Sequence, residues 1–315
     1  MRIPFARTLR QFRQKGFAKT FSMMLVLSLR RINVYVHPLP SASVVEVNKS
    51  RMLLHPKNGG IDQDLFLYRK REPICTEYLM RSVVLNEGDV VLDIGANIGY
   101  YVLVESRLVG ESGRVYAVEP VAQNFDVLLK NVRLNNLKNV SEFRFAFGEE
   151  EARSSIYISD KSNLCSMIKD SVGGSVVGEE EVPVTSVDAF FNDRMPPNFI
   201  RMDVEGYEYH IFRGMQKILA GDVKILVELH PWPPYMAPQK LQELLDILEH
   251  NGFRVRFAVF EDKVEENKII RTLMKKAGNK LPLISLSMSI REFRQWLDEN
   301  PRLASPNVIF DKCPA

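Results

Sequence analysis

The chain has 315 residues, 45% of them hydrophobic and 26% charged, and its net charge is only +3. These values fit a globular chain with a core of ordinary size and exclude a disordered polyelectrolyte or a chain that binds nucleic acid by charge alone. Three scattered cysteines, Cys75, Cys165 and Cys313, form neither a metal spacing nor a paired framework, which fits a reduced, intracellular setting.

Residues 1–43 carry Arg2, Arg7, Arg10, Arg13, Lys15, Lys19, Arg30 and Arg31 and no acid. Their apolar run from Phe21 to Leu29 is about half the ~18–20 residues that a membrane-crossing helix needs. Arg30 and Arg31 end the run with no small-residue cleavage site behind them, which disfavours a secretory signal. Phe5, Leu9 and Phe12 share a helical face. Residues 1–31 are therefore expected either to lie on an anionic membrane surface or to form a basic tail or a helix packed on the domain. The expected location is cytoplasmic, peripheral to the inner face of the membrane if the segment docks.

Val44 to Val47 and Met52 to Leu54 read as paired strands around Asn48-Lys49-Ser50, and Asn58-Gly59-Gly60 as a break. A helix is predicted from Thr76 to about Val84, with Thr76 as its cap. A regular alternation then begins. Val90 to Leu92 is a strand, followed by a glycine turn and a helix from Tyr100 to Leu108. Val115 to Val118 is a second strand, Phe125 to Leu134 a helix, and Val140 to Phe145 a third strand. Strands alternating with helices imply parallel βαβ units.

Residues 146–185, rich in Gly, Ser and Glu, read as an inserted hairpin or flap. A short helix at Ser186 to Phe191, a strand at Phe199 to Met202, a helix at Tyr207 to Leu219 and a strand at Val223 to Leu229 follow. Beyond the proline-rich 231–238 come a helix at Gln239 to His250 and a strand at Phe253 to Phe260. In 261–306 only a helix at Ile290 to Glu299 is legible, and Asn307 to Phe310 makes the last strand.

Ligands of an open parallel sheet bind at the carboxyl ends of its strands. Asp93, Glu119, Asp203 and Glu228 stand at four of those ends. Each alone has a plain alternative as a helix N-cap, but buried carboxylates need partners. The turn Asp93-Ile94-Gly95-Ala96-Asn97-Ile98-Gly99 lacks the middle glycine that a pyrophosphate-binding G-x-G-x-x-G turn uses, and no GK[ST] follows. It still permits close backbone approach to a smaller ligand. From the next strand end, Glu119 can accept hydrogen bonds from both ribose hydroxyls of a nucleoside.

Six segments together resemble the FkbM family of methyltransferases: VVLDIGANIGYY at 90–101, RVYAVEP at 114–120, LLKNVRLNNLKNV at 128–140, VTSVDAFF at 184–191, FIRMDVEGYEYHIFRGM at 199–215 and ILVELHP at 225–231. The resemblance covers about 44–260, with Arg201 where the family usually has lysine. It implies a Rossmann-like class I methyltransferase fold: a seven-stranded, mostly parallel sheet of order 3-2-1-4-5-7-6 with helices on both faces, here with a small N-terminal β/α extension. It also implies S-adenosylmethionine as cofactor and a hydroxyl as the usual acceptor. Asp93, Gly95, Asn97 and Gly99 match the cofactor loop, Glu119 the ribose-binding acid, and Phe147, in the turn after the third strand, the adenine wall.

The expected organisation is a basic segment 1–43 and a methyltransferase domain 44–315, divided into an extension 44–80, a core 81–260 and a C-terminal part 261–315. The expected function is O-methylation of a glycan or other small molecule, with no nucleic-acid partner. The alternatives are an NAD-dependent oxidoreductase, disfavoured by Asn97, and a non-catalytic S-adenosylmethionine-binding protein.

A hydroxyl acceptor has a high pKa, so a base or a metal helps its attack. Asp203, Glu228 and His230 are the candidate catalytic cluster. His230 is the preferred base by intrinsic pKa, and Glu205 is expected to cap the helix at 207. A divalent metal at this cluster is a less favoured alternative, since no further acid or histidine stands nearby in sequence. Trp232 and Tyr235 are expected either to line the acceptor pocket or to close the core.

Overall fold

A computed structural model describes residues 38–81, 84–259, 288–299 and 305–312. The membrane-docking expectation for 1–31 lies outside the described residues. No described helix is long and apolar enough to cross a membrane.

The chain opens with a hairpin of β1 (Ser43–Val47) and β2 (Ser50–Leu54). Asn48 and Lys49 both take positive φ, the geometry of a tight hairpin turn that follows strand twist. Helices α1 (Gly60–Tyr68) and α2 (Pro73–Met80) follow. Two readings change here. Gly60 opens a helix that the turn-like sequence hid. The second helix starts at Pro73, which needs no backbone donor at a first helical position, so Thr76 lies inside it and caps nothing.

Among the described residues the central sheet has eight strands, where seven were expected. In chain order they are β3 (Val90–Ile94), β4 (Arg114–Val118), β5 (Val140–Phe143), β9 (Phe199–Met202), β10 (Lys224–Glu228), β11 (Phe253–Val259), β12 (Met288–Ser289) and β13 (Asn307–Lys312). Across the sheet the order is β12-β11-β13-β10-β9-β3-β4-β5. The five strands from β10 to β5 run parallel, while β13, β11 and β12 join antiparallel. The eighth strand, β12, is two residues long, too short to carry a period.

Alternation along the strands splits the core in two. Val91, Val115, Phe199 and Leu226 pack on one side with α1, α2, α3 (Tyr100–Val109) and α4 (Ala122–Leu134). Leu92, Val118, Ile200 and Val227 pack on the other, against α5 (Val187–Phe190), α6 (Glu208–Arg213), α7 (Gln216–Ala220), α8 (Pro238–His250) and α9 (Ile290–Glu299). The single helix expected over 207–219 is thus two, broken at Gly214 and Met215. Gly214 fits only because it has no side chain: a Cβ there would stand 2.0 Å from the carbonyl oxygen of Gly148.

Residues 146–185 form a small separate sheet. β7 (Ala152–Ser159) and β8 (Val176–Thr185) make the hairpin, and β6 (Ala146–Phe147) pairs parallel with β8. The expected third strand therefore ends at Phe143, and Phe147 sits in a strand rather than a turn. Its ring packs edge-on against Phe145 and Phe190.

Candidate active site

The turn after β3 passes directly under the end of β9. Gly95 has φ +78, and a Cβ on it would stand 2.0 Å from the carbonyl oxygen of Asp203. Gly99, at φ +90, starts α3 where a Cβ would meet Leu128 at 2.8 Å. Only glycine lets the turn curl this tightly. Asn97 takes positive φ between them, and its backbone N–H donates to Glu119 Oε2 at 2.8 Å.

Glu119 is 4% exposed. Its Oε1 accepts from the backbone of Val121 at 2.9 Å and from Asn124 Nδ2 at 3.4 Å. Burial pushes its carboxyl up to about 7, against the lowering pull of these hydrogen bonds. A cavity lined by Gly95, Asn97, Glu119, Phe147, Arg201 and Asp203 lies above the turn. Segment 160–175 roofs it. The Ser162 carbonyl accepts from Asn97 Nδ2 at 3.0 Å and Asn124 Nδ2 at 2.9 Å, and Ser162 Oγ donates to Asp62 in α1.

Pairing of β3 with β9 sets Asp93 beside Arg201, and the two-residue period puts Asp203 near the same guanidinium. Arg201 Nη1 donates to Asp93 at 3.1 Å and Nη2 to Asp203 at 3.0 Å, with the guanidinium over the Tyr101 ring at 4.1 Å. Asp93 thus faces a guanidinium inside the protein.

A second cavity shares Arg71, Asn163 and Glu205 with the first and adds Glu228, His230, Trp232 and Tyr235. Trp232 also packs against the core, as one of its two expectations had it. Glu228 ends β10 and is half-buried. Burial, with Asp203 and Glu72 alongside, pushes its carboxyl well above the ordinary range despite Arg71 and His230.

His230 is held differently from expectation. Its Nδ1 lies 2.7 Å from Glu208 Oε1 and its Nε2 3.3 Å from Glu205 Oε2. Burial opposes the charged ring, but the two carboxylates outweigh it and raise its pKa well above the ordinary value. An imidazolium with both N–H groups engaged has no lone pair for an incoming proton, which corrects the reading of His230 as base. Glu205 is corrected too. It turns toward His230, while Glu208 accepts from the backbone of Gly206 at the start of α6.

Residues absent from the sequence reading complete the wall. Glu72 forms a three-carboxylate group with Asp203 and Glu228, and Asp203 and Glu205 form a second group with the His230 imidazole; in each, one atom from every residue lies within 4.8 Å of the others. Tyr101 donates its hydroxyl to Glu72 at 2.7 Å, and Tyr100 donates to the Arg71 carbonyl at 3.0 Å. These contacts hold the loop before α2 against the start of α3. Their only trace in sequence is the tyrosine pair that opens the helix after the glycine turn.

Comparison with known proteins follows the same elements. The family model described as the methyltransferase FkbM domain matches residues 93–255, just over half of the chain. The hexuronic acid methyltransferase AglP of Haloferax volcanii is 27% identical over 154 residues, 46% of this chain and 57% of AglP. A protein-L-isoaspartate O-methyltransferase of Methanosarcina mazei is 44% identical over 69 residues, 22% of this chain and 28% of that enzyme. The chain therefore spans little more than half the length of one relative and under a third of the other. Among solved structures, Aeropyrum pernix fibrillarin in complex with S-adenosyl-L-methionine aligns over 87% of this chain and 84% of its own at 12% identity, with a TM-score of 0.40.

Proposed function

This chain belongs to the FkbM methyltransferase family, and from that premise we propose that it moves the methyl group of S-adenosylmethionine onto a hydroxyl of a glycan or other small molecule. The observation that carries this reading is the meeting of two cavities at Arg71, Asn163 and Glu205, one holding the glycine turn and Glu119, the other Glu228 and His230. Gly95, Asn97 and Gly99 would pass the backbone under the cofactor, beside Asp93. Glu119 would take its ribose hydroxyls, and Phe147 would wall its adenine. When bound, that cofactor supplies a methyl group activated by a sulfonium.

The chain's own residues have three tasks: to align the acceptor, to take its proton and to exclude water. The acceptor hydroxyl would have to be held in line with that methyl group. The hydroxyl proton needs an acceptor, and Glu228 suits it. Its carboxyl faces the second cavity, and burial beside Asp203 and Glu72 raises its proton affinity well above that of a free carboxylate. Asp203, beside it, would orient the hydroxyl, and His230 would hold the wall. The likeness to a hexuronic acid methyltransferase favours a saccharide acceptor. The convergence of Glu72, Asp203 and Glu228 supports a second reading, in which Mg²⁺ or Mn²⁺ sits there and lowers the acceptor's pKa.

Incubation of the protein with methyl-labelled S-adenosylmethionine and a fractionated cell extract tests the proposal. Label should enter a hydroxyl-bearing small molecule or glycan. Calorimetry should show binding of S-adenosylhomocysteine and none of NAD. Binding without any transfer would sink the enzymatic reading. The basic segment 1–31 would bring such an enzyme to an anionic inner membrane surface, and equal sedimentation of full-length and 44–315 protein with anionic liposomes would remove that role.

A further inference from the structure

Helix α3 carries an acid where the fold offers it no partner. Glu105 is 0% exposed, and neither carboxylate oxygen has a hydrogen-bond partner among the described residues. Asp93, on the adjoining β3, is also 0% exposed, and its Oδ2 is equally without one. Two buried carboxylates with three unpartnered oxygens cannot both stay ionised, because like charges in a low-dielectric interior repel and burial penalises each charged form. Burial, with Asp93 alongside, pushes the Glu105 carboxyl well above the ordinary range, and Arg201 pulls the other way.

We propose that Glu105 is a neutral carboxylic acid whose hydrogen serves the unpartnered oxygen of Asp93, directly or across one buried water, and that Glu105 is a positioning residue for the transfer. The link runs outward from there. Asp93 uses its other oxygen to accept from Arg201 Nη1, and Arg201 Nη2 donates to Asp203 Oδ2 in the wall of the first cavity. A donor on Oδ2 stabilises Asp93 as the anion. An anionic Asp93 keeps the guanidinium shared between two carboxylates over Tyr101. Were Asp93 to take the proton itself, the guanidinium would be released to Asp203 alone, and the wall of the site would lose its setting. The effect on transfer rests on the proposed function, whereas the protonated acid and its service to Asp93 do not.

The test uses the full chain in two readouts that need no acceptor. Infrared spectra at neutral pH should show a protonated-carboxyl band that Glu105→Gln removes, and a wild-type spectrum with nothing for that substitution to remove would overturn the proposal. Carboxyl-carbon NMR of aspartate-labelled protein reads Asp93 directly. Glu105→Gln retains an N–H donor and should leave the Asp93 titration in place. Glu105→Met, apolar and of similar size, should fold, bind S-adenosylhomocysteine as wild type does, and move that titration upward. If Met and Gln leave Asp93 alike, Glu105 is merely a tolerated buried acid and the proposal fails. With an acceptor in hand, Met should lower turnover about tenfold with the acceptor's KM unchanged, while Gln should stay near wild type.

Discussion

The Nδ1 of His230 lies 2.7 Å from Oε1 of Glu208, and both side chains are buried. With Glu205 on the opposite nitrogen, the ring is a cation clamped between two acids. His230 gains these partners on folding, so its folded pKa stands above its unfolded value. The stabilisation is complete below about pH 6.5 and is lost as pH rises through the folded pKa. The melting temperature should therefore fall as the solution is made alkaline, and Glu208→Gln should flatten that slope. His230→Ala should cost roughly 3–5 kcal/mol, because it leaves two buried carboxylates without their cation. An alanine variant as stable as wild type would show that the clamp contributes nothing.

Cofactor affinity should depend on Glu119 and on pH. Burial pushes the carboxyl up to about 7, and only its ionised form accepts from two hydroxyls. S-adenosylhomocysteine should therefore bind about tenfold more tightly near pH 8 than near pH 6. Glu119→Gln should abolish this dependence, and Glu119→Ala should weaken binding on the order of ten- to a hundredfold. Unchanged calorimetric affinity in a folded Glu119→Ala variant would remove this residue from the pocket.

Glu228→Gln should lower turnover about 10²-fold or more while leaving S-adenosylhomocysteine binding intact. Asp203→Asn should lower it as well, through orientation. In wild type the rate should rise with pH as Glu228 loses its proton. A glutamine variant with wild-type turnover would leave alignment alone to drive the transfer.

Chelator treatment separates the base from the metal. With Glu228 as base, turnover should survive EDTA in full. Complete loss, restored by Mn²⁺, would instead assign Glu72, Asp203 and Glu228 to a bound cation.

The strand ends were legible because each of them is a local event: an apolar run, an acid, then a glycine or a proline. That rule found Glu119, Asp203 and Glu228, which line the cavities, and Asp93, which lies buried behind them against Arg201. It could not place Glu72, which reaches the site from a loop through the hydroxyls of Tyr100 and Tyr101, contacts between distant parts of the chain. Glu205 and Glu208 show a subtler limit. Both precede or open a helix, so capping chemistry describes either one equally well, and only the backbone at Glu205, with φ 49, turns it toward His230. Arg201 stands where the resemblance leads one to expect lysine. Its fork spans two carboxylates at once, which a single ammonium cannot do in the same geometry.

The two cavities have different origins in the chain. Both use Arg71 and Asn163; the first sets them, with Ile61 and Ser162, over the parallel strand ends and the glycine turn, whereas the second adds Leu164 of the inserted hairpin and Ser305 from the stretch before the last strand. Appendages can be lengthened, exchanged or lost with little disturbance to a sheet. On the proposed division of roles, edits confined to Leu164 and Ser305 would alter what the protein modifies, whereas edits at Arg71 or Asn163 would reach the donor as well, so a chimera aimed at a changed product should exchange the former and keep the latter.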